Sequence, residues 1–352
     1  MTLLVGNAEK TTGRGQYRAL ALRRLLILAG LGGALFLSVA IDLAVGPARY
    51  ALTDVLRAIF VPESVDNQLR VVVWEIRMPI ALMAVTVGAA LSASGAQMQT
   101  ILANPLASPF TLGISAAAGF GAALALAVGV AIIPAAEYIV PINAFLMAML
   151  TALFIHGVSR MRGVTVETIV LLGIALVFTF NALMALLQYL ASEQALGAII
   201  FWTMGSLTKA TWGKVFLTAA VVAVALPLLA RHAWALTALR LGDDKAASFG
   251  INVHHLRLKT MMIVSLLAAI PVSFVGTIGF IGLVGPHIAR MLVGEDQRFF
   301  LPASVLSGAL LLSATSVVSK SIIPGAVLPI GVITALVGVP FFFSLIFANR
   351  KR

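Results

Sequence analysis

The chain has 352 residues, 61% of them hydrophobic and only 11% charged, where a soluble domain carries about 25% charged residues. That balance excludes an ordinary soluble enzyme and leaves an all-α, polytopic membrane protein. The formal net charge of +11 does not mark a nucleic-acid binder, because the basic residues sit in short loops between apolar runs and form no basic face interleaved with aromatics. Cysteine is absent, which removes disulfides, thiolate metal sites and cysteine nucleophiles.

Ten apolar runs follow one another. A basic tail, residues 1–24, ends in Arg23 and Arg24 and leads into Leu25–Val45. Ser38-Val39-Ala40 could serve as a signal-peptide cleavage site, but the run continues through Leu43 to Val45 and reaches spanning length, so it reads as an uncleaved first span. Gly46–Met78 is polar and mixed in charge, and the spacing in Ala51–Phe60 predicts a helix lying at the surface. Pro79–Ile101 holds a face of small residues, Gly88, Ala89, Ala90, Ser92, Ser94, Gly95 and Ala96, suited to close helix packing or a dimer seam. After it, Asn104-Pro105-Leu106-Ala107-Ser108-Pro109 prevents an unbroken helix. It reads either as a turn or as irregular backbone near a gate, shielded by protein.

Leu112–Ile132, Ile139–Val158 and Thr168–Leu190 come next. Ser192–Trp212 is a second surface stretch, and its tryptophans, Trp202 and Trp212, favour a membrane–water boundary. Val215–Ala230 precedes the longest clearly polar loop on the cytoplasmic side, Leu241–Ile251, for which a helix of about two turns is expected. Asp243 and Asp244 can cap its start and Gly250 can end it in the left-handed conformation. Such a helix either joins two spans or docks in a groove of a partner. Leu258–Phe274, Val275–Val293, Leu301–Val318 and Leu328–Phe347 complete the set. The glycines and proline of Val275–Gly294 argue against a plain spanning rod and for a helix that starts inside protein.

With ten alternating spans and both termini cytoplasmic, 17 of the 24 Lys and Arg residues fall inside; only Arg49, Arg57, Arg70, Arg77, Lys209, Lys214 and Lys320 fall outside. The membrane domain is then a single unit over residues 25–347, with the docking loop at 240–257 and a basic cytoplasmic tail at 348–352. No Asp, Glu, Lys or Arg lies at the centre of an apolar run, although Asp42 sits near the outer end of the first. Ion-coupled transporters keep such a residue at mid-membrane, so an outside energy source is favoured. Gly213-Lys214 is followed by Val215, so no phosphate-binding loop is present and ATP would have to act through another chain. His287 stands apart from His156, His232, His254 and His255 without a carboxylate cluster, so no metal or other cofactor is expected.

Several stretches carry a resemblance to a known family. They are Trp74-Glu75-Ile76-Arg77-Met78-Pro79 with GAALSASGAQMQ and NPLASPFTLGIS, the loop LGDDKAASFGI, Gly276–Arg298, LPIGVITALVGVPFFFSLI, and Trp202 with Gly205-Ser206-Leu207. In these the chain resembles the permease subunits of type II ABC importers, the FecCD-like family that takes up iron siderophores, haem and vitamin B12. The resemblance implies ten spans in the bacterial cytoplasmic (inner) membrane. It also implies a second permease, the same or homologous, two cytoplasmic ATP-binding subunits, and a periplasmic or lipid-anchored substrate-binding protein. ATP hydrolysis then belongs to the partner, and this chain is a transport subunit rather than an enzyme. Gly242, Asp243, Asp244, Ala246, Phe249, Gly250 and Ile251 look like the coupling helix that docks on the ATPase.

The path would lie on the two-fold axis between permeases. Ser92, Ser94, Met98 and Gln99 are expected as lining, and Gly95, Asn104, Pro105, Pro109, Gly282, Pro286 and His287 as path or packing residues. Arg57 and Lys320 match bases that meet the binding protein in relatives. The chain departs from the family pattern at Ile80, where a second arginine is usual, at Ser316–Lys320, where Asp-x-x-x-Arg is usual, and at Val327, where Glu is usual. These departures leave a homodimer and a heterodimer both open. Ferric siderophore is the expected cargo, with haem and vitamin B12 as alternatives. An ion-coupled secondary transporter and a membrane scaffold are the readings from other classes.

Overall fold

A computed structural model of the chain describes residues 8–48, 50–129 and 138–349. The tail Arg350–Arg352, Arg49 and the end of the third apolar run lie outside the described residues. Among the described residues every regular element is helical. The long helices are α1 (Ala8–Ala44), α4 (Met78–Ile101), α5 (Ile114–Val128), α6 (Ile139–Ser159), α7 (Val166–Leu190), α9 (Trp212–Ala230), α12 (Val253–Val275), α13 (Ile281–Val293), α14 (Gln297–Ser321) and α15 (Ile330–Asn349). Shorter ones are α2 (Leu52–Phe60), α3 (Asn67–Val71), α8 (Glu193–Thr203), α10 (Ala233–Leu239) and α11 (Asp243–Ser248). Helix α2 is the surface helix that its spacing predicts.

Seven helices among the described residues are long and apolar enough to cross a membrane, and three more are apolar but shorter: Ile114–Val128, Ile281–Val293 and Ile330–Phe343. At 1.5 Å per residue, the 13 residues of α13 reach only about 20 Å, short of a hydrocarbon core of about 30 Å. The reason is local: Gly276–Phe280 is not helical. Phe280 holds a φ of 67°, a conformation that costs a non-glycine residue about 1–3 kcal/mol. Its ring packs on Phe342, 6.0 Å between centroids, and against Gly338. As expected, this helix starts inside protein.

Helix α4 is the hub. Nearly every residue from Pro79 to Ile101 is buried, and α9, α12, α13 and α14 pack around it. The small residues make this possible. A β-carbon on Gly95 would run into the carbonyl of Gly282, and one on Gly88 into that of Gly308. Without a hydrophobic drive between helices in lipid, such close backbone approach supplies the packing energy. Helix α1 lies outside this bundle against α14, while α5 packs on α6, α7 and α8.

The two ends of the bundle differ. At one end Trp212 Nε1 donates to Trp74 O at 3.0 Å and Trp74 Nε1 to Ala58 O at 2.9 Å, forming an aromatic girdle. Arg77 closes a π-helical turn (Val72–Arg77) and donates to the carbonyls of Leu43 at 2.7 Å, Ala44 at 2.9 Å and Ala48, so a cation caps the negative end of α1. At the other end Arg24 of α1 faces Asp296 at 3.7 Å. The start of the first span therefore shares a face with the turn between α13 and α14.

Candidate functional site

The polar segment Gly242–Ile251 lies on that second face. Helix α11 is flanked by Gly242 (φ 100°) and Gly250 (φ 77°), the left-handed stop that the sequence predicts. Its start differs from the expected cap. Gly242 is the N-cap, and Asp243 instead accepts both Nη groups of Arg257, each at 2.8 Å. Arg257 Nε donates to the carbonyl of Ile101 at 2.7 Å, so one guanidinium ties α11 to the last turn of α4. Ala246 is the residue of α11 that is buried. Asp244, Lys245 and Phe249 are exposed, and Ile251 is half-buried. The Phe249 ring lies 6.1 Å from that of Trp234, and both are more than half exposed, at 54% and 65%. The exposed aromatic pair thus joins Trp234 of α10 to Phe249 at the end of α11, beside a polar helix, a surface suited to a partner.

Asn104–Pro109 forms a compact turn beside the end of α4. Asn104 Oδ1 accepts from Leu106 N at 2.9 Å, and Ser108 and Thr111 bond each other reciprocally. Pro105 is exposed and Pro109 buried.

The four residues expected as lining, Ser92, Ser94, Met98 and Gln99, are enclosed within this one chain. Ser92 Oγ donates to Ser304 O at 2.6 Å, Ser94 Oγ to Val264 O at 3.1 Å, and Gln99 Oε1 accepts from Arg290 at 2.8 Å. Met98 is fully buried. Gly95 and Gly282 form the close crossing, Pro286 is buried, and His287 packs edge-on against Phe341 at 5.6 Å. Their geometry is that of helix packing. Among the described residues no group of three His, Asp or Glu is placed to hold a metal ion.

At the girdle end, Arg57 is exposed (side chain 69%) with Asp54 at 3.9 Å. Lys320 is not an exposed base. It is an inward-facing member of an ion pair with Asp42, 2.9 Å apart, with side-chain exposures of 6% and 0%. Ser316 also donates to Asp42, at 3.2 Å. The acid missing one turn earlier on α14 is thus supplied by α1. Lys320, Ser316 and Arg77 line a cavity of about 300 Å³ that is otherwise mostly apolar. The partnership of Asp42 was missed from the sequence; the signal was two opposite charges, each alone near the end of an apolar run.

A second missed feature is the turn Met204–Ser206. Ser206 N donates to Val275 O at 2.7 Å, Ile330 N to Gly205 O at 3.1 Å, and Gly331 N to Met204 O at 3.0 Å. Irregular backbone between spans is thereby satisfied by other backbone rather than by lipid.

A glycine-seamed bundle with seven helices long and apolar enough to cross a membrane is the architecture of a multi-pass membrane protein. The profile of the FecCD transport family matches residues 23–348, and the chain belongs to that family. Members are ABC permease subunits that work with separate ATPase subunits and a second permease. The chain is 39% identical over 326 residues to a protein assigned as an ABC transporter permease in Methanocaldococcus jannaschii, covering 90% of this chain and 93% of the relative. It is 34% identical over 282 residues to the hemin transport system permease protein HmuU of Yersinia pestis, covering 80% and 84%. A solved transporter assigned to the metal-chelate ABC type, in an inward-facing conformation, superposes with a TM-score of 0.81 at 31% identity, covering 92% of this chain and 99% of that one.

Proposed function

We propose that this chain is the permease of an ATP-driven importer for chelated metal, ferric siderophore first, with haem and vitamin B12 as the alternatives within the same class. The observation that carries the reading is the segment Gly242–Ile251: a short helix with exposed Asp244, Lys245 and Phe249, clamped to the bundle through Asp243 and Arg257. ATP binding and hydrolysis in the partner move this helix, and the spans rock to open the path to one side. The energy reaches this chain only through contacts that differ between the two states.

In this reading the seven long and three short apolar helices make ten spans in a bacterial cytoplasmic membrane. Both termini and the coupling segment are cytoplasmic, and the tryptophan girdle faces the periplasm. The membrane domain runs over residues 25–347 between the basic tails 1–24 and 348–352. A periplasmic or lipid-anchored binding protein delivers the cargo to the girdle end, where Arg57 is the exposed base and Lys320 acts from within the Asp42 pair. Ser92, Ser94, Gly95, Met98, Gln99, Gly282, Pro286 and His287 serve the path by holding the helices that move around it, with Asn104, Pro105 and Pro109 at its inner end.

The test is ATP-dependent uptake in proteoliposomes with the cognate ATPase and binding protein, offering labelled ferric siderophore, haem and cobalamin. Uptake of one cargo, abolished when residues 242–250 are scrambled, is expected. Uptake that persists without ATP or without the loop would overturn the mechanism in favour of a secondary transporter.

A further inference from the structure

Two polar chains run from the docking segment to the same end of α4. The first is the bridge from Asp243 through Arg257 to Ile101 O. The second begins at Arg240, just after α10. Glu295, in the turn between α13 and α14, pairs with Arg240 and, at 2.9 Å, with Arg290 of α13. Arg290 Nη2 in turn donates to Gln99 Oε1 of α4 at 2.8 Å. Beside this chain, the hydroxyl of Thr237 of α10 accepts from Gln297 N at 3.1 Å. Gln297 Nε2 donates to Thr100 Oγ1 and its Oε1 accepts from Gln97 Nε2, both at 2.9 Å.

Two features set this network apart from ordinary packing. Glu295 is the one carboxylate of the Arg240–Arg290–Gln99 chain among the described residues, and the same oxygen holds both arginines. Without it, two guanidinium groups on different elements would face each other with no counter-charge between them. In addition, Gln97 Oε1 and Gln99 Nε2 are buried with no hydrogen-bond partner among the described residues. A buried polar network left partly unsatisfied is costly. Spare donors and acceptors on α4 suit a contact set that changes partners when α4 shifts. The middle of α4 is locked to α13 and α14 through Gly88, Ser92 and Gly95. Close-packed interiors transmit a displacement rather than absorb it.

We propose that Glu295 is a positioning residue for transport: it links α10, beside the docking helix, to α13 and the last turn of α4, and carries the motion of the docking segment into the bundle. This rests on reading Gly242–Ile251 as the ATPase-docking segment.

The experiment uses the complete importer, this chain with its ATPase and binding protein, in proteoliposomes. Cargo taken up per ATP hydrolysed is measured with labelled ferric siderophore, haem or cobalamin. Glu295→Gln should co-purify with its ATPase and keep hydrolysis within about twofold, while uptake per ATP falls about fivefold or more. Glu295→Asp, which keeps the charge, should recover at least about half of that ratio. Unchanged uptake per ATP in Glu295→Gln overturns the proposal. So does a joint loss of assembly, hydrolysis and uptake that aspartate does not rescue, since that describes a fold contact.

A second measurement needs no cargo: hydrogen exchange in residues 97–101 of the complex with and without ATP. The wild type should change on ATP binding and Glu295→Gln should lose most of that change; a wild type that does not respond overturns the proposal. An ATP response that depends on Glu295, in a wild type that takes up none of the three cargoes, supports the link and sinks the cargo reading instead.

Discussion

Asp42 and Lys320 sit in separate apolar helices, and neither charge is tolerable there alone. Their 2.9 Å contact, with Ser316 on the second carboxylate oxygen, satisfies both and ties the outlying α1 to α14. Breaking a buried pair from one side leaves an uncompensated charge and costs about 3–5 kcal/mol, whereas replacing both members with apolar groups is often neutral. Asp42→Ala should therefore lower the melting temperature in detergent sharply. The double variant Asp42→Leu with Lys320→Met should recover most of the loss. If the double variant melts as low as the single one, the pair is not what holds α1. The same logic separates Lys320 from Arg57: Arg57→Ala should leave stability within about 0.5 kcal/mol, because an exposed pair contributes little.

Helices α4, α13 and α14 meet through glycines, and this is where small substitutions should be felt most. Gly95→Ala forces a methyl into the Gly282 backbone and is expected to cost about 1–3 kcal/mol. Gly157→Ala in α6 meets nothing within 4 Å and should be neutral or stabilising by up to about 1 kcal/mol. Thermal melts of the two variants side by side check the contrast. At the start of α14, Asp296 is the N-cap, accepting from Arg298 N at 3.1 Å. The hydrogen bond from the Arg298 guanidinium holds its carboxyl below the usual carboxylate range despite partial burial. A depressed carboxylate stabilises the fold fully above its unfolded pKa and progressively loses that contribution as pH falls through the folded value. Asparagine keeps the cap but loses the charge facing Arg298 and Arg24, so Asp296→Asn should cost up to about 1 kcal/mol at neutral pH, and the gap to wild type should close on acidification. Melts at two pH values decide it.

These elements also show how far the amino-acid pattern could be read. Apolar runs of spanning length became helices because lipid allows little else, and the late start of α13 was legible in its glycines. The inward orientation of Ser92 and Ser94 was not: a small-residue stripe looks the same whether it faces a neighbour in the chain, a second subunit or a path. The Asp42–Lys320 pair joins residues far apart in sequence, which spacing within one helix cannot reveal.

For the assembled transporter, helix α7 is the informative surface. Only Ile169 and Gly173 of its 25 residues are buried, yet it carries Asn181, an exposed amide near the middle of an apolar helix. Exposing a side-chain amide to hydrocarbon without a partner costs about 2–7 kcal/mol, so a face bearing one belongs against water or protein rather than lipid. A family that works with a second permease supplies a facing subunit, and in the function proposed above a path between the two. Helix α9 makes the contrast, with exposed and wholly apolar Phe216, Leu217 and Val224. Because the chain lacks cysteine, single thiols can be placed cleanly. Asn181→Cys in the assembled transporter should react with a membrane-impermeant maleimide or cross-link to the second permease. Val224→Cys should stay unreactive until detergent strips the lipid. If Asn181→Cys behaves like Val224→Cys, α7 faces lipid and the path must be built from other helices.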